Sequence, residues 1–192
     1  MPVLHLVRHG ESEWNLAGRV QGQSAEAGSL TARGLRQAAQ AARLLAERYP
    51  DIDAIFSSDL PRARETAEVI ASVLGLPVRT DPCLREQHLG CLEGRRFADP
   101  LGEGTVQDAV ERLWREPWRR PGDGESITDL YERVHATLDR YAAGPGREVV
   151  LVAHGGPVRV ATTSADPRRR EPVPRVTVGN ATVTTVDRSR CC

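Results

Sequence analysis

Short apolar runs and segments of helical periodicity alternate along this chain. The apolar runs, each bounded by polar or turn-forming residues, predict strands over residues 3–7, 52–56, 76–80, 147–154, 174–178 and 181–186. Between them, apolar residues that recur every three or four positions predict helices over residues 31–49, 61–74, 105–115 and 126–141. Strands that alternate with helices in this way are typical of an α/β domain with a largely parallel sheet.

Local signals mark where several of these helices begin and end. Thr31 is a suitable N-cap for the first long helix, and Gly75 is a suitable stop for the second. Ser126 and Asp129 form a capping-box pattern at the start of the last one. In the first long helix, one face carries apolar side chains that we expect to be buried: Leu35, Ala38, Ala42, Leu45 and Tyr49.

The segment from residue 81 to 125 lacks this regularity. It is rich in glycine, proline and arginine and contains a single helical stretch, so we expect loop and lid structure there. A length of 192 residues is typical of one domain. We therefore predict a three-layer α/β/α sandwich with a mostly parallel central sheet, in one domain over residues 1–192, with a small lid or insert at about 87–125.

Composition narrows the classes of function. The formal net charge is +0, from 26 basic and 26 acidic residues, so no basic footprint for nucleic acid or for a membrane surface is present. All 26 basic residues are arginines, which excludes Schiff-base and phosphate-loop lysines.

Neither a membrane-spanning apolar run nor a secretory signal pattern is visible, and we expect a soluble, cytoplasmic protein. The chain has four cysteines: Cys83, Cys91, Cys191 and Cys192. Their spacing does not match a zinc-binding pattern.

Arginine and histidine residues stand where predicted strands end. The first strand runs into Arg8 and His9, and the strand at 147–154 ends in His154. Because the carboxyl ends of parallel strands meet at one edge of a sheet, we expect both histidines to face the same crevice. Arg62 lies in the first turn of a predicted helix, where the backbone N–H groups and the helix dipole favour an anion. Guanidinium groups in such places suit a phosphate, whose oxygens they bind in pairs.

Together with further motifs, these residues resemble the histidine phosphatase superfamily, the phosphoglycerate-mutase-like proteins. The resemblance begins with "RHGES" at 8–12, followed by Trp14 and Asn15. The other blocks occur in the family's order and are "GRVQG" (18–22), "LTARGLRQA" (30–38), "SSDLPRARETA" (57–67), "LREQHLGCLEG" (84–94), "GDGES" (122–126), "VAHGG" (152–156) and "VGNATVT" (178–184). A lone "RHG" is a weak signal, whereas ordered blocks over most of the chain are a strong one.

The resemblance implies a phosphomonoester hydrolase that acts on a small phosphorylated metabolite through a phosphohistidine, with no metal or other cofactor. His9 matches the nucleophile, and Glu86 matches the proton donor. Arg8 and Arg62 match the arginines that clamp the phosphate, and His154 matches the second imidazole. The further positions expected to bind the phosphate or substrate are Asn15, Gly155 through its backbone N–H, Ser12, Gln21 and Gly22.

Taken singly, each site residue also has an ordinary structural interpretation. Arg62 could pair with Glu65 or Asp59 at the start of its helix, and Glu86 is one of 26 acidic residues. Ser12 fits a cap or pocket residue better than a nucleophile, because "GES" lacks the GxSxG pattern. The functional interpretation is preferred because these residues occur together, at element boundaries, in the family's order.

The remaining histidines are interpreted one by one. His5 lies within the first strand and is expected in or near the core. His135 lies on a helix among charged residues and is expected to be solvated, while His88 lies close to Glu86 without a predicted role. No close-spaced pair among the five histidines has the pattern of metal ligands, so we predict no metal site.

The superfamily contains phosphatases, which transfer the phosphoryl group to water, and mutases, which return it to the substrate. The interval from Glu86 to His154 looks short beside the substrate-enclosing insert of the mutases. Leu89 and Phe97 stand where mutases carry a tyrosine and a lysine, although "WRR" at 118–120 is similar to a mutase arginine pair. We expect a phosphatase. The alternatives are a phosphoglycerate-type mutase and a catalytically weak protein that binds phosphorylated ligands.

The sequence does not specify the substrate. "GCLEG" has Cys91 and Leu92 where the family commonly has a tryptophan that walls the pocket, and the segment after "HGG" is short and broken by prolines near the substrate mouth. Lid arginines that face the pocket would favour a substrate with a second negative group, although solvated surface is the expected place for most of them. These are Arg95, Arg96, Arg115, Arg119 and Arg120. The oligomeric state stays open, with a homodimer as one alternative.

Overall fold

In the computed structural model of the protein, residues 2–186 are described. The strands are β1 (Val3–Arg8), β2 (Ile52–Ser57), β3 (Val78–Thr80), β4 (Pro100–Leu101), β5 (Gly104–Thr105), β6 (Glu148–Ala153) and β7 (Val183–Val186). The helices are α1 (Glu13–Leu16), α2 (Ala32–Arg48), α3 (Pro61–Leu74), α4 (Val106–Arg115), α5 (Ile127–Ala142) and α6 (Gly155–Thr162). Short 3₁₀ turns span Pro82–Leu84, Gly90–Leu92 and Pro167–Arg169.

The central sheet has five strands in the order β3-β2-β6-β1-β7. The first four pair in parallel, and β7 pairs antiparallel with β1. Strand β6 lies in the middle and is buried on both faces: Val149 and Leu151 contact the hydrophobic cluster that includes α5 and α6, while Val150 and Val152 contact the cluster of α2 and α3. Helices therefore cover both faces of a mostly parallel sheet, and the predicted α/β/α sandwich is confirmed.

The predicted helix ends are confirmed where they rest on a specific cap. The hydroxyl of Thr31 accepts a hydrogen bond from the Gly34 N–H at 3.0 Å. Gly75 ends α3 in the left-handed conformation, with φ of 68°. Ser126 and Asp129 exchange the reciprocal bonds of a capping box at the start of α5. Each of these signals depends only on neighbours in sequence, which is why the sequence reveals them.

Two predictions about apolar positions are wrong. Leu35 was expected in the buried face of α2 but is 45% exposed, and its neighbour Gly34 is buried instead, whereas Ala38, Ala42 and Leu45 of that face are buried as predicted. Residues 174–178 were expected to form a strand but do not. The Val176 N–H donates locally to the Pro174 carbonyl, and the carbonyls of Val176 and Val178 accept from arginine side chains rather than from a neighbouring strand.

His135 was expected to be solvated, and the structure confirms this only in part, since the side chain is half-buried. Its ring stacks on Tyr131 with 4.0 Å between centroids, and its Nε2 donates to the Val160 carbonyl at 3.0 Å. His5 is fully buried, as predicted, with its Nδ1 3.1 Å from the Thr185 hydroxyl.

The segment expected to be a lid, about residues 87–125, contains the β4–β5 hairpin and α4. Its apolar side chains Leu89, Val110 and Trp114 join the same cluster as α5. No helix within residues 2–186 is both long enough and apolar enough to cross a membrane. Cys191 and Cys192 lie outside the described residues.

Candidate active site

The register of two central strands brings the two predicted site histidines together. Strands β1 and β6 pair in parallel up to Arg8 and Ala153, so the next residues, His9 and His154, stand side by side. Their ring centroids are 5.1 Å apart and the rings are inclined by 61°. His9 is 2% exposed and His154 is fully buried.

Strand β2 and helix α3 contribute the next two polar groups. The Ser58 N–H donates to the Val152 carbonyl just beyond the end of β2, and its hydroxyl lies 2.9 Å from Nε2 of His154. Helix α3 begins at Pro61, which suits the first helical position. Arg62 therefore lies in the first turn, where it is 1% exposed.

The hydrogen bonds of His9 define its tautomer. Nδ1 donates to the carbonyl of Gly10 at 2.7 Å, and Nε2 accepts from Nε of Arg62 at 3.3 Å. The ring is therefore neutral, with the lone pair on Nε2. Burial, followed by the charges of Arg62 and Arg8, lowers the pKa of His9 well below its usual value, against the smaller effect of the Gly10 carbonyl. His9 is thus an uncharged imidazole at neutral pH, with its one N–H on Nδ1.

Two arginines offer buried donors beside this ring. Arg62 donates from Nη2 to the Gly22 carbonyl at 2.8 Å, but its Nη1 is buried and has no partner within residues 2–186. Arg8 donates from Nη1 to the Val178 carbonyl, and its Nε is also buried without a partner in that range. Because a buried donor without an acceptor costs free energy, this arrangement favours an anion from outside.

Burial is the main influence on the charge states of these groups. It lowers the pKa of Arg62 to about 10, against the opposing attraction of Glu86 and Glu93, so the guanidinium stays charged at neutral pH. Burial, then the charge of Arg62, also lowers the pKa of His154 well below its usual value, and Arg8 acts in the same direction. The centre thus combines charged guanidinium groups with neutral imidazoles.

The alternative ion pairs of Arg62 do not form. Asp59 instead accepts two hydrogen bonds from Arg85, one of them from Nε at 2.6 Å. Glu65 accepts from the N–H of Leu30 at 2.8 Å. Both carboxylates therefore bond to other groups, and neither forms an ion pair with the guanidinium of Arg62.

Glu86 is held at the N-terminus of α6. Its two carboxylate oxygens accept from the Gly156 N–H at 3.1 and 3.2 Å, and one also accepts from the Gln87 N–H at 2.9 Å. The Glu86 carbonyl accepts a hydrogen bond from Nη2 of Arg133 at 3.2 Å, which ties the loop that carries Glu86 to α5. A Cβ at Gly156 would stand well under 3.0 Å from a Glu86 oxygen, so this carboxylate position requires glycine at 156.

These groups open into a cavity of about 240 Å³. The predicted site residues that line it are Arg8, His9, Asn15, Gln21, Gly22, Arg62, Glu86 and Gly155. His154 and Ser12 are fully buried and are not part of the lining. Ser12, expected to bind phosphate, instead caps α1 by accepting from the Asn15 N–H and donating to Gln21 at 2.8 Å. It therefore positions two lining residues.

Comparison with known proteins identifies the family. The model of the histidine phosphatase superfamily (branch 1) matches residues 4–191. The chain belongs to the histidine phosphatase superfamily. A probable phosphoglycerate mutase, GpmB, from Yersinia pestis is 42% identical over 161 residues, which cover 79% of this chain and 69% of that relative. The resemblance inferred from the ordered motifs is confirmed.

Solved structures of superfamily members share the fold. A mycobacterial glucosyl-3-phosphoglycerate phosphatase in complex with VO3 has a TM-score of 0.77 and 32% identity, and the match covers 97% of this chain and 91% of that one. A phosphoserine phosphatase mutant from Entamoeba histolytica in complex with phosphoserine has a TM-score of 0.78 and 28% identity, with coverage of 96% and 90%. Phosphatases are thus among the structural relatives of this superfamily member.

In this histidine phosphatase superfamily member, the five candidate lid arginines do not line the cavity, in line with the surface position expected for most of them. Arg95 donates to the Pro100 carbonyl, and Arg96 is exposed. Arg119 pairs with Glu116. Arg120 pairs with Asp129, and Arg115 lines an adjoining outer chamber.

Three other arginines line the cavity instead. These are Arg19, Arg159 and Arg175. The position of Arg159, one turn of α6 after Gly155, could have revealed it, because residues four apart share a helix face. Arg19 and Arg175 come from irregular segments, for which the sequence carries no such signal.

Apolar side chains complete the cavity wall. Leu89 and Phe97, where mutases carry a tyrosine and a lysine, both line it, together with Val110 and Trp114. His88 does not, and its Nε2 lies 4.0 Å from Glu93. Within the described part of the chain, no group of three or more His, Cys, Asp or Glu residues is arranged to hold a metal ion.

Proposed function

We propose that this superfamily member is a phosphomonoester hydrolase that acts on a small phosphorylated metabolite through a phosphohistidine on His9. The observation that carries the proposal is the neutral His9 ring, whose Nε2 lone pair lies beside buried arginine donors that have no acceptor among residues 2–186. Those donors, on Arg8 and Arg62, suit the charged oxygens of a phosphoryl group.

In the first step, Nε2 of His9 attacks phosphorus. An N–P bond forms, and the P–O bond to the alcohol of the substrate breaks. Arg8 and Arg62 stabilise the charge on the phosphoryl oxygens, while the Gly10 carbonyl holds the Nδ1 proton and so maintains the reactive tautomer. Glu86, in its acid form, gives its proton to the departing alkoxide, and the alcohol leaves.

In the second step, water takes the place of the alcohol. The Glu86 carboxylate accepts a proton from the water molecule, whose oxygen forms a new bond to phosphorus. The N–P bond breaks, its electron pair returns to Nε2 of His9, and inorganic phosphate is released. Glu86 is then protonated again and ready for the next substrate.

Two observations support water rather than the substrate as the final acceptor. Arg119 and Arg120, the pair that is similar to a mutase motif, form ion pairs with Glu116 and Asp129 and do not line the cavity. Leu89 and Phe97 give the wall an apolar surface where mutases carry polar groups. The similarity to a probable phosphoglycerate mutase keeps the mutase reaction as the second candidate.

A panel of phosphorylated metabolites that includes 3-phosphoglycerate distinguishes these functions. Hydrolysis predicts release of inorganic phosphate, with rates that vary across the panel. Formation of 2-phosphoglycerate without matching phosphate release would show a mutase and overturn the proposal. Binding without either product would show a protein that only holds phosphorylated ligands.

A further inference from the structure

A second cavity of about 710 Å³ adjoins the active-site cavity. The two cavities share three lining residues, Trp114, Arg159 and Arg175, whereas His9 and Arg62 line only the inner one. The shared side chains therefore stand at the junction, between the reacting end of a bound molecule and the outer chamber.

Arg159 is held at this junction by two contacts that leave the end of its side chain available. Its Cζ lies 5.2 Å from the centroid of the Trp114 ring, and its Nε donates to the Val176 carbonyl at 2.6 Å. Neither Nη1 nor Nη2 donates to a protein atom within residues 2–186. The guanidinium plane is thus fixed while two of its nitrogens face a potential ligand.

The available nitrogens of Arg159 are close to the phosphate-binding arginine. A Cβ placed on Gly155 would lie 3.7 and 3.8 Å from Nη2 and Nη1 of Arg159, and 3.6 Å from Nε of Arg8. Both arginines therefore border the same point at the start of α6. A short metabolite can contact Arg8 with its phosphate and Arg159 with a group a few bonds away.

The charges that line the inner cavity exceed what one phosphate neutralises. Its only carboxylate among the described residues is Glu86, against five arginines. Arg175 is paired with Glu111 at 3.2 Å, but neither Arg19 nor Arg159 forms a salt bridge within the described chain. A phosphate dianion balances two guanidinium groups, which leaves positive charge at the junction for a second anion.

We propose that Arg159 binds a second anionic group of the substrate, a carboxylate or a second phosphate, and so selects doubly anionic phosphomonoesters over those with a neutral group at that place. The inference rests on the proposed function, because it assigns the inner site to the reacting phosphate. Arg175 supplies a second guanidinium at the junction, and Trp114 holds Arg159 in position.

The test compares affinities within two pairs of three-carbon ligands. The first pair, 3-phosphoglycerate and glycerol 3-phosphate, differs in a carboxylate. The second, propane-1,3-diol bisphosphate and 3-hydroxypropyl phosphate, differs in a phosphate. Calorimetry with the His9→Ala variant gives dissociation constants without turnover. We expect the doubly anionic member of at least one pair to bind about tenfold more tightly, beyond the twofold statistical advantage of a bisphosphate.

Substitution of Arg159 decides whether it is the source of this preference. Arg159→Gln, made in the same background, should bring the affinity ratio to within about twofold, whereas Arg159→Lys should keep part of it. Arg112→Gln removes an exposed arginine from α4 and should leave the ratio unchanged. If Arg159→Gln fails to fold, as shown by its melting curve, the Arg159→Lys ratio carries the test.

Two results would overturn the inference. One is an affinity ratio near unity in both pairs before Arg159 is changed. The other is an equal loss of affinity for both members of a pair in Arg159→Gln, which would assign Arg159 to the phosphate clamp or to the scaffold. If only Arg159→Lys folds, an affinity ratio that is unchanged in that variant has the same meaning. Release of phosphate by the wild-type protein is measured separately, so failure of hydrolysis and failure of this selectivity are distinguishable.

Discussion

At the scale of single residues, the central feature is a pair of imidazoles that stay neutral beside charged guanidinium groups. The pKa of His9 and that of His154 are both lowered, first by burial and then by Arg62 and other charges. Neutral His9 is the form that can attack phosphorus. The burial that keeps both imidazoles neutral also makes protonation of the folded protein unfavourable, so the proposed chemistry of His9 is linked to stability.

Stability should therefore fall in mildly acidic solution. An unfolded histidine has a pKa of about 6.5, and the folded pKa of His9, His154 and His5 is lower, so the unfolded chain binds more protons below that value. This stability is fully present above pH ~6.5 and is lost as the pH falls toward the folded pKa values. Urea unfolding at pH 7.5 and 5.5 should show a lower midpoint at pH 5.5. The difference between the two midpoints should be smaller in His154→Gln. Equal midpoints at pH 7.5 and 5.5 in the wild-type protein would contradict the burial of neutral imidazoles.

Glu86→Gln should slow turnover with little effect on folding. The amide keeps an acceptor oxygen for the Gly156 N–H but has no acidic proton, so the expected loss in kcat is roughly 10²–10⁴-fold for a substrate with a poor leaving group. A substrate with a good leaving group, such as a nitrophenyl phosphate, should lose less in the first step. The exposed Glu103→Gln in the lid is the matched control. Equal losses in the two variants would contradict the role of Glu86.

Gly156→Ala should displace the Glu86 carboxylate. The new Cβ would collide with the end of the Glu86 side chain, which can move, so we expect a large fall in kcat without a matching fall in melting temperature. The comparison is the same substitution made in the Glu86→Gln variant, which should lose little further activity because the carboxylate is already gone. A further loss as large as that in the wild-type background would show that Gly156 does not act through Glu86.

The sequence identified the residues at strand and helix ends more readily than those that approach the cavity from loops. His9, His154 and Arg62 each follow a recognisable element boundary, and the fold brings these boundaries together. Arg19 and Arg175 reach the cavity only through the path of irregular segments, which depends on tertiary packing. Sequence motifs therefore revealed the residues at the inner end of the cavity but not those around its remaining wall.

At the scale of elements, the close approach of α2 to the loop after β1 supports the site. A Cβ at Gly10 would lie well under 3.0 Å from the Gly34 carbonyl, and one at Gly34 would lie equally close to the Glu11 carbonyl. Both obstacles are backbone atoms, which cannot rotate away. Two glycines thus allow α2 to pack directly beneath the loop that carries the nucleophile.

Gly34→Ala should destabilise the protein by about 1–3 kcal/mol, because it forces α2 away from this loop. Gln40→Ala, at an exposed position of the same helix, should change the free energy of unfolding by less than about 0.5 kcal/mol. Urea denaturation of both variants measures the difference. A Gly34→Ala protein as stable as Gln40→Ala would contradict the close packing.

Caps and hydrophobic periodicity predicted most of the helices, because these signals act over a few residues. The apolar pattern predicted the buried face of α2 correctly at Ala38, Ala42 and Leu45 but not at Leu35, beside which Gly34 is packed against the backbone of the loop after β1. The absent strand at 174–178 shows the opposite case, in which tertiary contacts outweigh favourable side chains, because the carbonyls of Val176 and Val178 accept from Arg159 and Arg8.

At the scale of the whole molecule, the site depends on strand order. Strand β6 lies between β1 and β2, and the three strands end at the same edge of the sheet. Residues from positions 8 to 175 therefore meet in one cavity at that edge. Both imidazoles are buried at that edge, and Leu89, Phe97, Val110 and Trp114 add apolar wall residues. In the proposed function, the reacting phosphate lies at the edge of the sheet and the rest of the substrate extends toward the outer chamber.

The most direct test of the account is to trap the phosphorylated protein. Wild-type protein is mixed with a hydrolysable phosphomonoester, quenched in alkali, which preserves phosphohistidine, and mapped by mass spectrometry. We predict one phosphoryl group on His9, none at that position in His9→Ala, and no turnover by that variant. A phosphoryl group on a different residue, or phosphate release that survives in His9→Ala, would contradict the central claim.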